Sequence, residues 1–100
     1  MDISVETSGT DVVVAVTGEV DAHNCSELGD AILSAATGAN PAVVIDAAEL
    51  GFIDSSAISE LLRVRQSIDE RGGTLTIRNA GTSVKRVLEI TGLLDTFGVG

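Results

Sequence analysis

The sequence predicts a single α/β domain: a mixed sheet of four or five strands with a parallel core, packed by α-helices. Three observations carry that expectation. The chain has 100 residues, 44% of them hydrophobic, which suffices for one modest core without disulfide or metal support. Short apolar or alternating segments are separated by longer ones whose apolar residues recur at helical spacing. Strands joined that way need crossover connections and run parallel. The first two strand-like segments are separated only by a tight turn, so that pair is expected to be antiparallel.

Residues 2–6 alternate polar and apolar side chains, as a half-buried strand does. Ser8, Gly9, Thr10 and Asp11 supply turn chemistry, and residues 12–16 form a second strand apolar on both faces. Residues 18–21 are expected as a loop. A helix over 24–37 then places Cys25, Leu28, Ile32, Ala35 and Ala36 on one face, with Gly38 as its stop and Pro41 just beyond. Residues 42–45 form a short apolar strand ending at Asp46. A second helix, 56–71, carries a stripe of Ala57, Ile58, Leu61, Leu62, Val64 and Ile68, and Arg71-Gly72-Gly73 terminates it. Leu75 and Ile77 alternate with Thr74, Thr76 and Arg78 as another half-buried strand. A third helix, 82–91, buries Val84, Val87 and Leu88 and turns Lys85, Arg86 and Glu89 to water. No internal repeat, low-complexity tract or linker interrupts this order.

The net charge is −9, unevenly spread. All six basic residues (Arg63, Arg65, Arg71, Arg78, Lys85 and Arg86) follow position 62, and residues 1–62 carry −11. Such a chain is a poor ligand for nucleic acid, since nothing in its acidic half would displace counterions from phosphates. It favours encounter with a basic protein surface. The longest apolar runs fall well short of the roughly 20 residues needed to span a bilayer. Acidic Asp2 follows Met1, unlike the basic start of a secretory leader. The single cysteine, Cys25, allows no internal disulfide, which suits a reducing cytoplasm. Its helical spacing to Leu28 and Ile32 makes it a small core residue rather than a nucleophile.

Motifs of catalysis are missing. No phosphate-binding Gly-rich loop, dinucleotide fingerprint or nucleophile elbow occurs in the sequence. With His23 the sole histidine and Cys25 the sole thiol, a zinc site lacks ligands. Neither a cofactor nor a metal is expected. Asp21, Asp46 and Asp54 fall near predicted strand ends and raise the alternative of a Mg²⁺ site for phosphoaspartate chemistry. The chain, however, has neither paired acids closing its first strand nor a lysine after a late one, as receiver domains have. Capping is the simpler role for such carboxylates.

One segment stands out: Phe52-Ile53-Asp54-Ser55-Ser56-Ala57-Ile58. It places two hydroxyls where a helix begins, among unsatisfied backbone N–H groups and the positive end of the helix dipole. A phosphate on such a serine would be received by those donors while adding about −1.5 to −2 charge beside Asp54. Helix capping by Asp54 and the serines accounts for the same residues without any phosphate.

This segment resembles the Asp-Ser-Ser/Thr-Gly signature of the STAS domain family, in particular the bacterial anti-sigma factor antagonists. Val16-Thr17-Gly18-Glu19-Val20-Asp21 is similar to the family's Gly-Glu-Leu-Asp element, Val43-Val44-Ile45-Asp46 to its third strand, and residues 84–93 to its C-terminal helix. The resemblance covers the chain in order and implies a STAS-like fold and a cytoplasmic, non-enzymatic switch. Family members bind an anti-sigma factor that is also a serine kinase and thereby free a sigma factor. The kinase phosphorylates the antagonist and disables it; a phosphatase restores it. By motif position the phosphoacceptor maps to Ser56, with Asp54 and Ser55 shaping the site and Glu19 and Asp21 near the partner-binding face. The resemblance equally embraces accessory subunits of transport complexes and stress-complex scaffolds that phosphorylation need not control. Ala57 stands where the family commonly has glycine, adding about 1 kcal/mol of helix propensity and a methyl expected to face an approaching kinase.

Overall fold

In a computed structural model, which describes residues 1–99, the elements run β1 (Asp2–Ser8), β2 (Asp11–Val20), α1 (Cys25–Ala35), β3 (Ala42–Asp46), β4 (Leu50–Ile53), α2 (Ser55–Glu70), β5 (Thr74–Arg78) and α3 (Thr82–Ile90). The mixed α/β architecture is the one expected. β1 and β2 form the antiparallel hairpin, from Asp2↔Thr17 to Ser8↔Asp11. Gly9 takes φ +64° at the first central position of the two-residue turn, where tight hairpins require a positive φ. β3 runs parallel to β2 (Asp11↔Ala42 to Ala15↔Asp46), and β5 parallel to β3.

The sheet buries one face. Val14 and Val16 of β2, Val43 and Ile45 of β3, and Leu75 and Ile77 of β5 share one core with Leu28 and Ile32 of α1, Ile58, Leu61, Val64 and Ile68 of α2, and Val84 and Leu88 of α3. Each set follows its own period, two along the strands and about 3.6 around the helices. Gly29 of α1 leaves room for the Glu60 side chain of α2, whose carboxylate occupies the place a Cβ would take.

Several expectations are corrected. β2 does not stop at Val16: residues 18–20 remain in the strand because a fifth strand, β4, pairs with them as Gly18↔Leu50, Glu19↔Phe52 and Val20↔Ile53. The register shifts between Gly18 and Glu19, and Gly18 adopts φ +100°, a conformation that suits glycine. Leu62 is 37% exposed, not part of the buried stripe, because it lies about 100° around α2 from Leu61. Cys25 and Val87 are half-buried, Cys25 because it opens α1 at the rim of the core. α1 ends at Ala35, with Gly38 in the turn beyond at φ +78°. Phe97, assigned to no element by its sequence, is fully buried; its carbonyl accepts from Ile77 N at 2.9 Å, and Arg65 Nε donates to Thr96 O at 3.0 Å. The C-terminal segment thereby covers β5.

Candidate functional site

β2 and β4 deliver their C-terminal ends side by side, and the proposed site residues gather there. Asp54 N donates to Val20 O at 3.2 Å, tying the start of α2 to the end of β2. The Asp54 side chain is the N-cap of α2: Oδ1 accepts from Ala57 N at 2.9 Å. The serines that follow begin the helix, Ser55 exposed and Ser56 half-buried. α2 carries no acidic residue in its first turn beyond the Asp54 cap, and the first N–H groups of a helix have no acceptor within the helix itself.

Ala57 is fully buried. The expectation that its methyl faces an approaching partner is therefore overturned. At that helical position the side chain turns into the core, so alanine contributes packing and leaves the outer surface of the turn unchanged.

The loop after β2 is held by reciprocal hydrogen bonds. Asn24 Oδ1 accepts from Asp21 N at 2.8 Å, Asn24 Nδ2 donates to Glu19 O at 2.9 Å, and Asp21 Oδ1 accepts from His23 N at 2.9 Å and from Asn24 N at 3.3 Å. One Asp21 oxygen thus shapes the loop. Glu19 is exposed and sits in register with Phe52 of β4. Phe52 is 45% exposed, an aromatic ring beside a carboxylate at the entrance to the Asp54-Ser55-Ser56 turn. The sequence reading quoted Phe52 without assigning it a role. The missing signal was β4 itself, four residues with Gly51 inside, too short for periodicity to reveal.

Asp21, Asp46 and Asp54 do not assemble into a metal site. Asp46 closes β3, where it accepts from Ala48 N at 3.1 Å and Asn79 Nδ2 at 3.2 Å and faces Arg78 Nη2 at 3.4 Å. The Ala48 N–H, then the Asn79 amide, with Arg78 beside them, hold its carboxyl below the ordinary value of 3.8. Among the described residues no group of three His, Cys, Asp or Glu side chains is placed to hold a metal ion. A hollow lined by Ala15, Val16, Thr17, Asp46, Ala48 and Glu49 encloses about 60 Å³, far below the several hundred Å³ of a small-molecule site. Among the described residues no helix is long and apolar enough to cross a membrane. The Ser55 and Ser56 hydroxyls lie at the start of α2, next to the ends of β2 and β4.

Comparison with known proteins bears on the family and the fold. Residues 3–97 match the family model described as Mlab, STAS domain. The anti-sigma-B factor antagonist of Bacillus subtilis (strain 168) is 22% identical over 100 residues, spanning 99% of this chain and 90% of the relative. A crystal structure of an anti-sigma factor antagonist from Mycobacterium paratuberculosis is similar at TM-score 0.85 and 28% identity, over 98% of this chain and 83% of that one. The Bacillus cell fate determinant SpoIIAA in its phosphorylated form shares the fold at TM-score 0.71 and 20% identity, over 99% of this chain and 89% of its own. With a family model matched over nearly its whole length, and with strands and helices in the same arrangement as these structures, the chain belongs to the STAS domain family.

Proposed function

We propose that this protein is an anti-sigma factor antagonist: it binds an anti-sigma factor that is also a serine kinase, releases a sigma factor, and is switched off by phosphorylation of Ser56. The supporting observation is the display of Asp54-Ser55-Ser56 at the start of α2, beside the ends of β2 and β4 that carry Glu19 and Phe52, with Asp21 directly after β2. The relatives named anti-sigma factor antagonists support the same reading. The protein works by binding and performs no catalysis of its own.

In this mechanism the unmodified Ser56 hydroxyl lies within the contact surface. Phosphate on Ser56 is received by the N–H groups of the first turn, yet it adds bulk and negative charge beside Asp54. A partner surface that accommodated one carboxylate then meets two anionic groups. Losing about 2.7 kcal/mol of binding weakens a complex roughly a hundredfold. A phosphatase reverses the switch. The acidic first half of the chain steers encounter with a basic kinase surface.

The test combines phosphopeptide mass spectrometry on protein from its own cells, with and without stress, and affinity measurement with the co-purified kinase. Occupancy at Ser56 should change with stress, Ser56→Ala should bind constitutively, and Ser56→Asp should bind far more weakly. Ser56→Asp binding as tightly as wild type would sink the switch. Co-purification with a transport ATPase or a stress scaffold, regardless of the state of Ser56, would instead establish an accessory subunit.

A further inference from the structure

The hairpin leaves one sheet edge open. Among the described residues β1 pairs with β2 alone, in an unbroken register from Asp2 to Ser8. In a two-residue hairpin the pair next to the turn, here Ser8 and Asp11, exchanges both backbone hydrogen bonds. Alternation then directs Glu6, Ser4 and Asp2 toward β2, and the N–H and C=O groups of Ile3, Val5 and Thr7 outward. β2 agrees: Gly18 N donates to Glu49 O, on the β4 side, so residues of the other parity serve β1.

An edge of this kind is a template for another strand unless something blunts it, and charged side chains, proline or a bulge are among the usual devices. β1 has no proline and no bulge, and its only charges are the acids Asp2 and Glu6, which repel an acidic strand and admit a basic one. Its side chains divide cleanly. Ile3, Val5 and Thr7 share a face with Val16, Val14 and Val12. Val14 is fully buried, whereas its partner Val5 at the outer rank remains 49% exposed. On the opposite face Asp2, Ser4, Glu6 and Ser8 are exposed, with Asp11 across from Ser8. No basic residue precedes Arg63 in the chain, and the ion pairs among the described residues (Arg63–Glu60, Arg65–Asp69 and Arg78–Asp46) leave these acids out.

We infer that the outer edge of β1 is a strand-addition site for an extended segment of another protein in which apolar residues alternate with lysine or arginine. Main-chain hydrogen bonds to Ile3, Val5 and Thr7 supply the docking, as in other sheet-edge recognition. Alternate apolar side chains cover Val5 on one face. The intervening cations lie beside Asp2 and Glu6 on the other, where cross-strand pairs of opposite charge are favourable. A second copy of this chain is a poor occupant, because its own β1 brings acids where the surface presents acids and each copy carries −9. This edge is separate from the α2 turn, so the inference does not depend on the phosphorylation of Ser56.

The test titrates the full chain with a short synthetic peptide alternating valine and lysine, followed by amide NMR and hydrogen exchange. The amides of Ile3, Val5 and Thr7 should shift and their exchange should slow, while Ser4 and Glu6, already paired with β2, change little. Binding should weaken as salt rises, and a peptide alternating valine and glutamate should not bind. Val5→Pro removes an outward N–H and should weaken binding about tenfold or more. Glu6→Lys, at a solvent-exposed position, should do the same with the sheet amides intact, and carries the test if Val5→Pro unfolds. Equal binding of the glutamate peptide, of a lysine peptide interrupted by prolines, or of wild type and Glu6→Lys would overturn the inference. So would protection of the same amides by self-association in the absence of peptide.

Discussion

Asp54 caps α2 and is also a residue of the proposed contact surface, and the contributions of its hydrogen bond and its charge separate experimentally. Its Oδ1 accepts from Ala57 N at 2.9 Å as the cap of α2, and its charge lies at the positive end of a 16-residue helix. Replacing an Asp cap by alanine costs about 0.5–2 kcal/mol, and the charge at the helix end contributes about 0.3–1 kcal/mol of stabilisation at low salt. Asp54→Asn keeps an acceptor for Ala57 N and removes the charge; Asp54→Ala removes both. Asp54→Ala should therefore lose about 1–2 kcal/mol, a fall of roughly 4–8 °C in Tm per kcal/mol for a domain of this size. Asp54→Asn should lose less than half as much, and that loss should shrink at high salt. Urea denaturation of the three proteins at low and high salt provides the assay, with unchanged m-values as the sign that the denatured state is unaltered. Equal destabilisation by both variants would refute the hydrogen-bonded cap as the larger contribution, and a loss in Asp54→Asn that salt leaves unchanged would refute the charge contribution. If Asp54→Asn also binds the partner normally, Asp54 acts by shaping the turn; if binding falls while stability holds, the partner reads its charge.

Phe97→Ala should cost about 3–5 kcal/mol, since the ring is fully buried and its segment covers β5; a shift in the urea midpoint below about 1 kcal/mol would remove the C-terminal segment from the core. Gly18→Ala should destabilise by about 1–2 kcal/mol, because φ +100° is strained for any side chain, and amide shifts should spread into Glu19 and Phe52. Asp46 gives an acid dependence of known sign. Its carboxyl is depressed below 3.8 by hydrogen bonds from Ala48, Asn79 and Arg78, so its stabilising effect is present above that value and is lost as pH falls through the lower folded value. Asp46→Asn should flatten this acid limb of the stability curve, and an unaltered limb would show that other carboxylates govern it.

Most of the fold was legible because its signals are local. The alternation of residues 2–6, the turn at Gly9, the helical stripe of Ala57, Ile58, Leu61, Val64 and Ile68, and the Gly72-Gly73 stop each follow from side-chain period and backbone preference. What escaped depends on partners distant in sequence. β4 becomes a strand only through the last residues of β2, and those residues stay extended only through β4; neither half of that mutual dependence is visible alone. Leu62 had the right chemistry for the core and the wrong angle around α2. Phe97 follows the last helix without any period of its own, and only the place left beside β5 makes it a core residue.

The candidate site divides the same way. The sequence by itself determined the hydroxyl pair after Asp54, the acidic first half and the likeness to a family, because composition and contiguous motif need no third dimension. Tertiary structure decided the rest. It set Glu19 beside Phe52, gave one Asp21 oxygen to its own loop, kept Asp46 with Arg78 and Asn79 away from any metal cluster, and turned the Ala57 methyl inward. The physical reason is that a side chain's surroundings are fixed by which strands pair and which helix face is covered, and both are settled by burial summed over the whole chain.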